Sequence, residues 1–248
     1  MARRVTERSA ICAGPDHDSP PTDSDHPIAD SIEKWVDQLE LKPRLRGWLH
    51  FGAGPLAFVL GLWLLVVVPE QPLRAAVAVY VATTVMLFSV SASYHLGAGG
   101  PRVRDLLHRL DHANIYLFIA GSYTPFAAAL PDAATGRLIL LLVWSIAIVG
   151  VIVRVFWRTA PRWLSVASYL GLGWVAIFFL PDLWRAFGGG VVTWLAVGGL
   201  LYSVGGVVYA RKRPDPAPDW FGFHEIFHAL TITAFGVQFV AVVLVVVP

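Results

Sequence analysis

Two pairs of residues in this sequence stand four positions apart and carry groups able to bind a metal. One is His224 and His228, in Phe223-His224-Glu225-Ile226-Phe227-His228; the other is Ser91 and His95, in Ser89-Val-Ser91-Ala-Ser93-Tyr94-His95. On a helix that spacing puts both side chains on one face, with Cβ atoms about 5–6 Å apart. Asp111, in Leu110-Asp111-His112, adds a carboxylate. Three imidazoles with a carboxylate or a water make a zinc set of the catalytic kind, in which one coordination position stays free. The only cysteine is Cys12, which excludes multi-thiolate metal sites and an intramolecular disulfide framework. His224-Glu225-Ile226-Phe227-His228 also fits the H-E-x-x-H zincin pattern, with Glu225 as general base. A peptidase of that kind takes a third ligand downstream, yet only twenty residues follow His228 and none is ionisable. The other expectation for Glu225 is a pairing with an arginine of the basic loops. His50, His108 and His112 lie near expected helix ends and read as interfacial.

Whether these groups meet depends on the elements that carry them. Of 248 residues, 56% are hydrophobic and 15% charged, where a soluble domain usually carries about 25% charged residues. That is too little charge to wet a surface of this size, which argues against a soluble enzyme, a disordered scaffold and a nucleic-acid binder. Seven stretches hold no Asp, Glu, Lys or Arg: 47–69, 75–101, 112–131, 138–153, 163–181, 186–210 and 226–248. Crossing the hydrocarbon core takes about 20 apolar residues. The fourth stretch has only 16, and Gly136, Arg137 and Arg154 extend it, the arginines snorkelling at its ends. The expected fold is an all-α integral membrane bundle of seven transmembrane helices, at about 47–69, 74–96, 109–130, 136–156, 161–181, 187–210 and 221–247.

Basic residues then orient the bundle. Seven of the nineteen Lys and Arg lie in the N-terminal tail (Arg3, Arg4, Arg8, Lys34, Lys42, Arg44, Arg46), and nine more fall in three alternate loops: Arg102, Arg104, Arg109; Arg154, Arg158, Arg162; Arg211, Lys212, Arg213. The remaining loops hold Arg74, Arg137 and Arg185, one each. This alternation predicts a cytoplasmic N-terminus and an outside C-terminus. Residues 1–27, polar and without an apolar run, read as a disordered cytoplasmic tail rather than a signal peptide. Residues 28–42 read as an amphipathic cytoplasmic helix, with Ile28, Ile32, Trp35, Val36 and Leu39 at helical spacing. Its acidic polar side favours docking on the protein's own basic loops. Residues 43–248 form the membrane domain. In this topology the end of the second helix and the starts of the third and seventh share the cytoplasmic boundary. His95, Asp111, His224 and His228 are therefore expected at one depth, and ionisable groups within spans default to function.

These residues resemble a known family. Ser91-x-x-x-His95, then Asp111-His112-Ala113-Asn114-Ile115-Tyr116-Leu117-Phe118-Ile119-Ala120-Gly121-Ser122-Tyr123-Thr124-Pro125-Phe126, then His224-x-x-x-His228 are similar to the motifs of the hemolysin III family. That family is the bacterial branch of the progestin and adipoQ receptors, which include the adiponectin receptors. The resemblance runs from about residue 43 to the C-terminus. It implies seven spans with the N-terminus inside, and a zinc ion (Zn2+) held by the histidines matching His95, His224 and His228. It further implies that Ser91 and Asp111 are polar partners near the metal, Asp111 acting through a water. His50 is assigned no role.

Three activities are compatible with this pattern. A zinc with Asp111 as general base and Ser91 orienting the oxyanion or water would hydrolyse a membrane lipid bearing an amide or ester, in the manner of a ceramidase. A pore-forming cytolysin is the label bacterial members of the family commonly carry. A zinc that only ties the second and seventh helices together would suit a non-catalytic sensor of membrane state. A pore needs a polar stripe through the full depth of the bundle, and the outer halves of these helices are almost wholly apolar, which favours the hydrolase. The bacterial cell membrane is the expected location.

Overall fold

The computed structural model describes residues 45–68, 71–157 and 160–247. The expected tail (1–27) and amphipathic helix (28–42) lie outside the described residues. Those described are helical throughout, apart from connecting loops and one isolated bridge between Ala217 and Phe221. In chain order the helices are α1 (Trp48–Val67), α2 (Gln71–His95), α3 (Pro101–Ala129), α4 (Ala133–Phe156), α5 (Arg162–Gly173), a 3-10 segment (Trp174–Phe179), α6 (Leu180–Arg211) and α7 (Phe223–Val246). Among the described residues, five helices are long and apolar enough to cross a membrane: Trp48–Val67, Pro72–His95, Ala133–Phe156, Arg162–Arg211 and Phe223–Val246. Their outward faces are apolar as well; Val66 is 80% exposed and Leu141 68%. Water would not support such a surface, whereas lipid does, because helices satisfy every backbone polar group internally.

Helix α3 is the central element, packed on α2, α4, α5 and α7. It begins at Pro101 and not near 109, so the arginines expected in a loop are helical. The reason is local: Pro101 sits at the first helical position after Gly100, where its missing N–H costs nothing. One turn on, Arg109 meets Asp105 at 2.7 Å across an i,i+4 spacing.

The fifth and sixth expected helices also differ from the structure. Residues 182–186, expected to be a loop, are helical, and the break falls at Gly188, with φ 78° and ψ 171°. Pro181 stands in the first turn of α6 and Asp182 complements its positive N-terminal dipole. A left-handed φ is cheap only for glycine, so Gly188 is where the chain turns. The run Arg162–Arg211 has 50 residues, about 75 Å of helix, more than twice a hydrocarbon core of about 30 Å.

Candidate metal centre

Local sequence explains how each side chain of the cluster is held. Helix α2 stops at His95 because Gly97 takes a φ of 80°, while the Leu96 and Ala98 N–H groups satisfy the Ala92 and Ser93 carbonyls at 2.9 and 3.0 Å. His95 is therefore the last helical residue, and Ser91 lies one turn back, buried. At the other side, the loop before α7 folds onto that helix's N-terminus. Phe223 N–H donates to Asp215 Oδ1 at 3.0 Å, and Gly222 N–H donates to Glu225 Oε2 at 2.9 Å. Two of the four orphan donors of the first turn are thus met, and His224 and His228 project from the turns immediately following.

His95, His224 and His228 each offer a ring nitrogen, and these three atoms lie within 4.8 Å of one another. The Nε2 atoms of His95 and His224 are 3.1 Å apart although 129 residues separate them in sequence. Asp111 Oδ2 lies 3.8 Å from His95 Nε2, and Ser91 lines the same cavity as Asp111. The five residues singled out by spacing thus meet at one end of the bundle. Three imidazole donors this close, with a carboxylate nearby, could hold a metal ion.

Glu225 differs from both expectations for it. It is 1% exposed, its Oε2 caps α7, and among the described residues no ion pair links it to an arginine. Its carboxylate therefore faces its own helix start and not the histidine nitrogens. His50 and His112, expected at helix ends near water, are buried and half-buried instead. His112 lies three turns inside α3, because that helix starts early; its Nδ1 stands 3.1 Å from the His108 carbonyl and its Nε2 3.4 Å from the Tyr209 hydroxyl. His50 is 3% exposed and stacks on His228 with ring centroids 3.8 Å apart and planes 4° from parallel. Both its nitrogens are buried without a hydrogen-bond partner. Its place follows from Gly47, which starts α1 at a φ of 88°; a Cβ there would stand 2.9 Å from His95 Cβ. Only glycine lets the chain come this close, and the helix that follows carries His50 under the cluster. The signal was Arg46-Gly47-Trp48-Leu49-His50, one turn of sequence that spacing rules do not weigh.

A cavity of about 190 Å³ extends from the cluster into the bundle, more than ten times what one buried water requires. On α3 it is lined from Asp111 to Ala127, a length of about 24 Å. Its far end is walled by Phe126, Ile139, Phe179, Leu183 and Leu195.

The haemolysin-III-related profile matches residues 39–239, most of the chain and all five residues of the cluster. The chain belongs to the haemolysin-III-related family. Among relatives, it is 29% identical over 213 residues to a hemolysin-3 of Bacillus cereus, covering 84% of this chain and 94% of that protein. It is 35% identical over 123 residues to a hemolysin-3 homolog of Bacillus subtilis (strain 168), covering 49% of this chain and 58% of that one. A progestin and adipoQ receptor-like protein 1 of Caenorhabditis elegans is 22% identical over 213 residues, 77% of this chain and 49% of the relative. With its apolar helices and bacterial relatives, this haemolysin-III-related chain is a multi-pass protein of the plasma membrane.

Proposed function

We propose that this protein is a seven-span, zinc-dependent hydrolase of a membrane lipid amide or ester, with its site at the cytoplasmic end of the bundle. The carrying observation is that His224 and His228 of the histidine cluster, with Asp111, line a largely apolar cavity that runs about 24 Å along α3. Such a cavity suits an acyl chain whose polar end reaches the cluster. Seven spans follow if Gly188 divides Arg162–Arg211 and α3 crosses with its apolar part, from about residue 112. The alternation of basic residues supports an inside N-terminus.

His95, His224 and His228 are the residues that would hold the zinc. Zinc held there would supply a Lewis acid and a bound water whose pKa is lowered to about 7. The Asp111 carboxylate takes the proton as the water oxygen bonds to the carbonyl carbon. When the carbon–nitrogen or carbon–oxygen bond of the substrate breaks, Asp111 returns that proton to the leaving amine or alcohol. Ser91 fixes the carboxylate through its hydroxyl and restrains its rotation. The apolar walls exclude competing water along the chain. The products are a fatty acid and the freed headgroup amine or alcohol.

The relatives' name raises the pore reading, and one assay separates the two. Purified protein in nanodiscs is given a fluorescent ceramide-like or acyl-ester lipid, wild type beside Asp111→Asn, and the same preparations are tested for dye leakage from liposomes. Asp111→Asn is expected to retain zinc and lose hydrolysis by about 10²–10⁴-fold, the scale of a general base. Leakage that survives both Asp111→Asn and zinc removal, with no lipid turnover, would replace the hydrolase by a cytolysin. If neither activity appears and changes at His95 alter the response to cold or fatty-acid composition, the zinc-tied sensor stands instead.

A further inference from the structure

Most hydroxyl groups along the cavity already have partners: Tyr123 and Tyr169 donate to carbonyls of neighbouring elements, and three others donate within their own helices. Ser122 Oγ donates to the Ile119 carbonyl, Thr231 Oγ1 to the Phe227 carbonyl and Ser203 Oγ to the Gly199 carbonyl, at 2.8, 2.9 and 2.7 Å. Among the described residues lining the cavity, only His50, Tyr202 and Gln238 carry a fully buried polar atom with no partner. His50 belongs to the histidine cluster. Tyr202 and Gln238 do not.

The two stand on neighbouring helices that pack against each other. α6 and α7 run antiparallel: a Cβ on Gly205 would meet Leu230 at 3.4 Å, and one on Gly198 would meet Gln238 Cβ at 3.7 Å. Tyr202 stands midway between those glycines on α6, so it faces α7 roughly level with 231–235, a turn short of Gln238. Ten residues of helix separate His228 from Gln238, about 15 Å. The surroundings are mostly apolar: the Phe118 ring lies 5.9 Å from that of Tyr202, and the nearby polar group outside the cavity lining is the buried Tyr80 hydroxyl, itself without a partner. A buried hydroxyl or amide oxygen left unpaired destabilises a fold more than a made hydrogen bond stabilises it. The Gln238 oxygen accepts one hydrogen; the Tyr202 hydroxyl donates and accepts.

We propose that Tyr202 and Gln238 form a second, polar subsite within the cavity, which takes a hydroxyl group borne partway along a bound lipid chain. A chain hydroxyl donates to Gln238 Oε1 while accepting from the Tyr202 hydroxyl, and so completes both at once. A saturated chain completes neither. This rests on the reading that a lipid chain fills the cavity, but its test separates the two.

The experiment measures binding of octadecanoic acid and of octadecanoic acid hydroxylated near mid-chain to the full-length protein in detergent. The wild type is expected to prefer the hydroxylated acid by about tenfold or more, the discrimination of one well-made buried hydrogen bond. Tyr202→Phe and Gln238→Leu should each bring the two acids to equal affinity while leaving octadecanoic acid unaffected, with melting temperature reporting that each variant is folded. Equal affinities in the wild type, or a preference that both variants keep, would overturn the subsite and leave the lipid cavity standing. Binding of neither acid would overturn the subsite and the lipid reading together.

Discussion

If His95, His224 and His228 hold zinc, the metal ties α2 to α7 and its binding energy is folding energy. The three nitrogens lie within 4.8 Å of one another only while these helices are packed, since 129 residues separate His95 from His224. The unfolded chain has no such site. At free zinc a hundredfold above the dissociation constant, a ligand bound only by the native state adds about 2.7 kcal/mol. For a chain of this size each kcal/mol moves the melting temperature by about 2–4 °C, so zinc should raise it by about 5–11 °C. The perturbation is His224→Ala, and the quantity compared is the zinc-induced shift within each protein, which removes any stability change caused by the substitution itself. Melting of detergent-solubilised protein, with chelator and then with buffered zinc, gives both shifts. The wild type should show the full rise and His224→Ala almost none. A variant that gains as much from zinc as the wild type would refute the ligand set. So would stoichiometric zinc in a His224→Ala/His228→Ala double variant.

Other outcomes follow from the same structure. Glu225→Gln should leave zinc content unchanged, because Glu225 Oε2 is engaged by the Gly222 N–H; loss of metal there would revive the zincin reading. In a Cys12→Ser background, a cysteine at Asp219 should resist an impermeant maleimide applied to intact cells, and this position spares the Asp215 bond to Phe223. Labelling from outside would invert the proposed topology. Asp132 caps α4 by accepting from Thr135 Oγ1 and Ala134 N–H at 2.7 and 3.0 Å, which together hold its carboxyl below the ordinary 3.8. A lowered folded pKa gives stability that is present above 3.8 and lost as pH falls through the folded value. Asp132→Ala should therefore melt slightly below the wild type near neutral pH, the gap closing in strong acid; a gap unchanged by acid would show that ionisation contributes nothing.

Much of this fold was readable because lipid imposes a coarse grammar on sequence. Charge-free runs overlap α1, α2, α4 and α7, and His95, Asp111, His224 and His228, expected together, do meet, although Asp111 stands inside α3 and not at its start. What sequence concealed was set by local exceptions. Arg102 to Arg109 read as loop because charges were taken to end helices, whereas the Asp105–Arg109 pair continues one. The break before the sixth expected helix was assigned to Asp182 and Arg185, which are helical, while the actual break is the backbone angle of Gly188. His50 read as interfacial because burial at a helix start depends on what crosses over it, and that is decided by the contact between Gly47 and α2. Tyr202 and Gln238 escaped notice because an unmet hydrogen bond is invisible until neighbouring helices have shown what they do not supply.

Gly47 has a mechanical consequence. With hydrogen alone where any other residue has a Cβ, the start of α1 rests against the His95 side chain and against Leu96 without slack. A packed interior is stiff and passes strain on instead of absorbing it. A pull or push on the chain just before Trp48 is therefore delivered to the last turn of α2 almost undamped, as through a strut. A tag or reporter domain joined close to Leu45 would load that strut, while one placed after a long flexible spacer would leave it relaxed. The same stiffness makes position 47 a sensitive place to set the spacing of α1 and α2 by design.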